Sequence, residues 1–278
     1  MKKMRVATSD LDITLALQTG KNADATRRNL AKIKMPDGLK IDLYAVVPDV
    51  RHMAVAPSTN MLFVGTRKTT VWAVTDRNNG GETTEIKAFA PSLNFKNPNG
   101  VFFTQDGFLI VAKHNRVLTC RVGPDKKLYI TLGQPFNVPP ADKYQELERM
   151  GIGALVRMNL NRTGREFYAS GVRNSVGQDF NPKDGSLWWS DNQTDSLGEE
   201  IPAEELNRST KAVQHFGYPY WNGHYKAASS PAVADLKNMK EPANAVFLEI
   251  EFPTHQAQLG IAFSTGKSSR PRTRVVSL

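Results

Sequence analysis

One pattern recurs along this chain: a short apolar piece, a tight turn, then a strongly apolar strand. Met53–Ala56 leads through Pro57-Ser58-Thr59-Asn60 into Met61–Val64. Gly100–Phe103 leads through Gln105-Asp106-Gly107 into Phe108–Val111. Arg121–Gly123 leads through Pro124-Asp125-Lys126-Lys127 into Leu128–Thr131, and Val176–Phe180 leads through Pro182-Lys183-Asp184-Gly185 into Leu187–Ser190. Tight turns between apolar runs are hairpins. A fifth start is expected at Gly260-Ile261-Ala262-Phe263. Hairpins repeating at roughly 40–50 residues are the signature of propeller blades, with a β-sandwich as the alternative. The turn ends at Asn60, Gly107, Lys127 and Gly185 are separated by 47, 20 and 58 residues. The middle step has room for about two strands only. Half a blade is therefore expected to be missing between Val117 and Val122.

The flanking segments differ in texture. Residues 1–34 read as a head, helical over Ala23–Lys34 or disordered, and Pro36-Asp37-Gly38 closes it. The repeat region runs over 35–266 and a basic tail over 267–278, with Arg270, Arg272 and Arg274. Pro139–Met150 reads as a surface loop with a helical turn, placed where one blade would pass to the next.

Hydrophobic residues make up 40% of the 278, enough for a sizeable core. No run approaches the roughly 18 apolar residues of a membrane span. Met1-Lys2-Lys3-Met4-Arg5 resembles the charged start of a signal peptide, but Asp10, Asp12 and Gln18 interrupt the apolar stretch that should follow. The net charge of +9 favours anionic partners. Its even spread, without aromatic-basic strands, argues against nucleic acid. The single cysteine, Cys120, can make no intrachain disulfide and reads as a small buried hydrophobe.

The richest stretch for chemistry is Gly171-Val172-Arg173-Asn174-Ser175-Val176-Gly177, running on to Trp189-Ser190-Asp191-Asn192. Arg173 offers a permanently charged planar fork for carboxylates, and Asn174 a donor and an acceptor. A salt-bridged surface arginine is the plainer reading. Asp191 through Glu204-Glu205-Leu206-Asn207 is oxygen-rich, which suits a hard cation or a solvated acidic loop. The five histidines lack metal-ligand spacing. His255 precedes an inner strand and could face a central cleft. Phe216-Gly217-Tyr218-Pro219-Tyr220-Trp221 reads as a packed corner or a sugar platform.

Together these motifs resemble the glucose/sorbosone dehydrogenase family, in its L-sorbosone-dehydrogenase-like branch. Further matching pieces are Leu39–Ala45, Leu62-Phe63-Val64-Gly65-Thr66-Arg67, Asn97-Pro98-Asn99-Gly100-Val101 and His215-Phe216-Gly217-Tyr218-Pro219. The resemblance implies an all-β propeller of the six-bladed type, here incomplete at about five blades. It implies PQQ- and calcium-dependent oxidation of an aldose or sugar aldehyde in the periplasm. Arg173, Asn174 and Asn99 would contact PQQ, Glu205 and Asp191 would bind calcium, and Arg173 and His255 would serve catalysis. The family's base histidine lies just before the hairpin that here begins at Arg121. Leu118-Thr119-Cys120-Arg121-Val122 holds none. The alternative is a non-catalytic propeller that binds a sugar or a protein partner.

Overall fold

The computed structural model describes residues 16–57, 61–77, 83, 85–93, 95–104, 107–112, 117–195, 197–226, 241–264 and 275–277. Helix α1 (Lys21–Leu30) comes first. Strands β1 (Val50–Val55), β2 (Met61–Thr66), β3 (Val71–Thr75) and β4 (Glu85–Phe89) follow. Next are β5 (Gly100–Phe103), β6 (Leu109–Ala112), β7 (Val117–Val122), β8 (Lys127–Leu132), helix α2 (Ala141–Met150), β9 (Ala154–Asn159) and β10 (Glu166–Ser170). Then come β11 (Gln178–Phe180), β12 (Leu187–Asp191), β13 (Glu204–Ser209) and the short β14 (Gln214–His215), β15 (Trp221–Asn222) and β16 (Tyr225–Lys226). Strands β17 (Ile250–Phe252), β18 (Ile261–Phe263) and β19 (Val275–Ser277) end the order. The protein is nearly all β. Among the described residues, no helix is long and apolar enough to cross a membrane.

All four expected hairpins form, as the antiparallel pairs β1–β2, β5–β6, β7–β8 and β11–β12. The fifth start becomes β18, paired with β19. Strands β1 to β4 make one sheet in chain order. Strands β7 to β10 make another, with β14 added in parallel at its outer edge, and β11, β12, β13 and β17 make a third. Strands β5 and β6 form a sheet of two. The short step of the repeat therefore falls where this thin sheet hands over to β7.

The apolar runs follow from burial on both faces. In β3, Val71 and Ala73 enter a cluster with Ala54, Phe63 and Val101, which packs the first sheet on β5. The alternate residues Trp72 and Val74 enter a second cluster with Val64 and Ile86, covered by Ala45 and Val47 of the N-terminal segment. A strand with period-2 side chains buried on both sides shows no polar alternation. A third cluster of Tyr129, Leu155, Tyr168, Leu187, Trp189 and Phe216 joins the sheets of β7–β10 and β11–β13.

The segment around Pro139–Met150 departs from its reading as a loop. Helix α2 is ten residues long, buries Tyr144 and Leu147 one turn apart, and ends on Gly151 in the left-handed conformation. It is inserted within a sheet, between the paired strands β8 and β9, rather than at a passage between sheets. One feature of the arrangement positions the site. The first strand of each sheet packs on the first strand of the next: β1 on β5, β5 on β7, β7 on β11 and β11 on β18.

Candidate functional site

Four of these first strands, β1, β7, β11 and β18, line one cleft of about 910 Å³ with the loops before β5, β11 and β18 and the residues that follow β2 and β12. Arg51, Arg67 and Arg121 face it together with His52, Asn99 and Asn174, and no Asp or Glu is among its lining residues. Each polar group has a local cause. Arg51 sits at a register shift between Val50 and His52, where β1 slips against β2. Such a bulge re-aims a side chain out of the pleat. Arg67 follows β2, tethered by its backbone N–H to the Asp49 carbonyl at 3.2 Å. Arg121 stacks over Phe102, with its centre 5.3 Å from the ring, and keeps a loose ion pair with Asp179 at 3.8 Å.

The charges in the cleft are poorly compensated. Among the described residues, neither Arg51 nor Arg67 has a carboxylate within ion-pair distance. Partial burial and the repulsion of Arg67 both lower the Arg51 pKa. Three oxygens on the walls, Asn99 Oδ1, Gln178 Oε1 and Asn192 Oδ1, accept no hydrogen bond. A positive concavity of this kind favours an anion.

The Gly-Val-Arg-Asn-Ser-Val-Gly loop borders the cleft in an unexpected way. Asn174 lines it, but Arg173 does not. The Arg173 guanidinium is buried. Nε donates to the Asn137 carbonyl at 3.0 Å, one terminal nitrogen to the carbonyls of Asn192 and Gln193 at 2.8 and 2.6 Å, and the other to Asn137 Oδ1 at 2.5 Å. The fork expected to grip a cofactor instead clamps two loops. Asp191 secures the same loop by accepting from the backbone N–H groups of Arg173 and Asn174 at 2.9 and 2.7 Å and from the Ser175 hydroxyl at 3.0 Å. Gly177 ends the motif because no side chain fits there: a Cβ would lie 2.2 Å from the Leu259 carbonyl oxygen. This close approach seats the Leu259–Ala262 wall of the cleft, which the Ser190 hydroxyl also holds by donating to that carbonyl at 2.8 Å.

Asp191 and Glu205 are brought together as register partners on β12 and β13, both buried. Their oxygens are already occupied. Glu205 accepts from the Gly223 N–H at 2.6 Å and from the Asn207 amide at 2.8 Å. Burial raises both pKa values, and the charge of Asp191 pushes Glu205 further up. Two adjacent buried carboxyls hold a proton rather than two charges. Among the described residues, no three His, Cys, Asp or Glu side chains gather as a metal set. The pair therefore fits calcium poorly: Asp191 braces the Arg173 loop, and Glu205 holds Gly223 and Asn207.

The histidines separate clearly. His255 is more than a third exposed, lies outside the cleft lining, and its Nε2 donates to the Gly198 carbonyl at 2.8 Å. Left-handed backbone at His255 and Ala257 turns this segment outward. His215 is packed against Gly171, where a Cβ would meet its ring at 2.2 Å, and its Nδ1 accepts the Gly217 N–H. His114 lies outside the described residues. His52 does reach the cleft. Its Nδ1 donates to the Val101 carbonyl at 2.9 Å, which leaves Nε2 to accept from the Thr119 hydroxyl at 3.3 Å. Burial, then the charge of Arg121, lowers its pKa to about 4, so the ring is neutral. Arg51, His52, Arg67 and Arg121 were not singled out from the sequence as site residues. Their only signal there is a shared position near the ends of the repeated strands.

No family model matches this chain. An uncharacterized protein of Borreliella burgdorferi is 35% identical over 150 residues, covering 52% of this chain and 35% of that protein. The chain thus spans about a third of the length of the relative it matches. Among solved structures, the PQQ domain of pyranose dehydrogenase from Coprinopsis cinerea is similar with a TM-score of 0.59 and 17% identity, over 78% of this chain and 68% of that one. The soluble aldose sugar dehydrogenase of Escherichia coli, in its apo form, is similar with a TM-score of 0.51 and 15% identity, over 79% and 76%. At these identities the likeness is one of fold alone.

Proposed function

We propose that this protein is a sugar-oxidising propeller of the PQQ-dependent type, with its cofactor in the cleft between the first strands. In this reading the sheets are about five blades of an incomplete six-bladed ring. The observation that carries it is the set of three arginines, uncompensated by any lining carboxylate, where successive first strands converge. PQQ is a flat tricarboxylate, and the cleft offers cationic forks for its carboxylates and amides for its ring heteroatoms. Arg51, Arg67 and Arg121 would hold the acid groups. Asn99 and Asn174 would fix the ring plane. When bound, PQQ supplies a two-electron acceptor. Arg173 acts through the loop it clamps, by placing Asn174.

Calcium does not enter the proposal, because the oxygens of Asp191 and Glu205 are spent on the chain itself. The outward position of His255 favours a second reading, in which the cleft binds its ligand without turnover. One titration separates the two. Purified protein is mixed with PQQ, with and without calcium, and binding is followed by the quenching of protein fluorescence. Dye reduction is then measured with a panel of aldoses. Sugar-dependent reduction supports the oxidase reading. Binding without reduction selects the second, and no binding of PQQ rejects both assignments of the cleft.

A further inference from the structure

We propose that Arg51, Arg67 and Arg121 form an anion-binding site, and that an anion seated on them draws a proton onto His52. The inference uses the cleft alone and does not depend on sugar oxidation. It begins with the position of the imidazole. His52 spans three consecutive first strands: it sits on β1, donates to the Val101 carbonyl of β5, and accepts from the Thr119 hydroxyl of β7. It lines the same cleft as the arginines.

The charges around it are almost all of one sign. Strand β1 contributes Arg51 beside it, and Arg67 follows β2. Strand β5 offers a carbonyl and no titratable side chain over Gly100–Phe103. Strand β7 brings Arg121, the Thr119 hydroxyl and the Cys120 thiol, which burial keeps protonated. Two carboxylates among the described residues are held by other cations: Asp179 on β11 is drawn to Arg121 across 3.8 Å, and Asp49, just before β1, pairs with Lys68 at 2.9 Å. His52 is therefore neutral for two reasons, its burial and the cation on β7. An anion on the guanidinium groups cancels the second reason and adds attraction for an imidazolium.

The size of the effect follows from ordinary electrostatics. An opposite charge within ~4–6 Å favours the charged form by a factor of ~10 to 1000. A hundredfold bias starting from a pKa of about 4 makes anion affinity roughly tenfold tighter at pH 5 than at pH 7. The Nε2 atom is the site of proton uptake, because Nδ1 already carries its hydrogen. Protonation turns Nε2 from acceptor to donor, and the Thr119 hydroxyl can reverse to receive it.

The test uses benzene-1,3,5-trisulfonate, an anion that does not itself titrate in this range. Calorimetry on the full chain at pH 5 and pH 7, in buffers of different ionisation enthalpy, gives both the affinity and the protons taken up. The expected result is tighter binding at pH 5 with uptake of a fraction of one proton. R51Q combined with R67Q should weaken binding at least tenfold, and H52Q should bind without proton uptake. The His52 Cε1–H resonance in the wild-type protein supplies a readout free of any variant, and its titration should move to higher pH on adding the sulfonate. Absence of binding overturns the site. Binding without uptake, uptake that persists in H52Q, or an unmoved resonance overturns the coupling. None of these outcomes involves dye reduction, so the inference and the dehydrogenase reading fail separately.

Discussion

Replacing Arg173 by Met tests whether its guanidinium is a clamp or a ligand contact. The substitution keeps the side chain's length and apolar stem but removes the four hydrogen bonds to Asn137, Asn192 and Gln193. Hydrogen bonds to a charged group contribute roughly 1.5–3 kcal/mol each. The gross loss is partly offset, because a buried guanidinium no longer has to be desolvated. The acceptors left behind are the larger concern: a carbonyl that stays dry costs ~1–3 kcal/mol. Those of Asn192 and Gln193 lie on a buried stretch, while Asn137 can turn to water. A net destabilisation of about 3–5 kcal/mol follows, which lowers Tm by roughly 5–9 °C for a chain of 278 residues. Urea and thermal melts of the ligand-free protein measure it. If R173M melts within about 1 kcal/mol of wild type yet loses PQQ or sulfonate affinity tenfold or more, the guanidinium faces the ligand and the clamp is wrong.

Three other outcomes follow from the same contacts. Glu205 has a raised pKa, so the unfolded chain releases its proton above roughly pH 4.5 while the folded chain keeps it, and stability should fall as pH rises toward the folded pKa. Glu205→Gln mimics the protonated acid and should flatten that slope in urea melts at pH 5, 7 and 8.5, and calcium should leave the wild-type Tm unchanged. His52 and His215 act in the opposite direction: with both lowered to about 4, stability should fall as pH drops from about 6.5 to 4, and a melt series with no loss on that limb would refute their neutral burial. Gly177→Ala pushes a methyl into the Leu259 carbonyl, so it should cost about 2–4 kcal/mol and weaken cleft binding, whereas His255→Ala should change stability by less than about 0.5 kcal/mol and leave PQQ affinity intact.

The hairpins were legible because their turns and apolar runs are local. Pro124-Asp125-Lys126-Lys127 and Pro182-Lys183-Asp184-Gly185 each punctuate two runs that pair as expected. The short step of 20 residues was equally legible, and among the described residues β5 and β6 pair only with each other, but Val117–Val122, where the gap was expected, is a single strand, β7. Helix α2 was underestimated, because Tyr144 and Leu147 make a narrow apolar stripe in a charged segment. The site was harder to read. Arg51 and Arg67 meet at one end of the β1–β2 hairpin, and Arg121 joins them only when the first strands of successive sheets are packed side by side. A bulge that re-aims Arg51 leaves no mark on composition. Arg173 shows why its motif alone does not tell a clamp from a ligand contact: a guanidinium fork serves carbonyl oxygens as readily as carboxylates, and here it donates to Asn137, Asn192 and Gln193. Asp191 poses the mirror-image ambiguity, since an acid can be kept for the N–H groups it receives.

The pair β5–β6 carries more than its two strands would suggest. Outer strands in the neighbouring sheets share the work of keeping the inner one in place, whereas β6 has no further strand beyond it among the described residues. Among the described residues β5 alone pairs with it, so its opening requires few hydrogen bonds to break. Yet β5 stands between β1 and β7 and holds the His52 ring through Val101. This two-stranded sheet is therefore also a keystone, and brief fraying there would loosen the imidazole and two arginine-bearing strands at once.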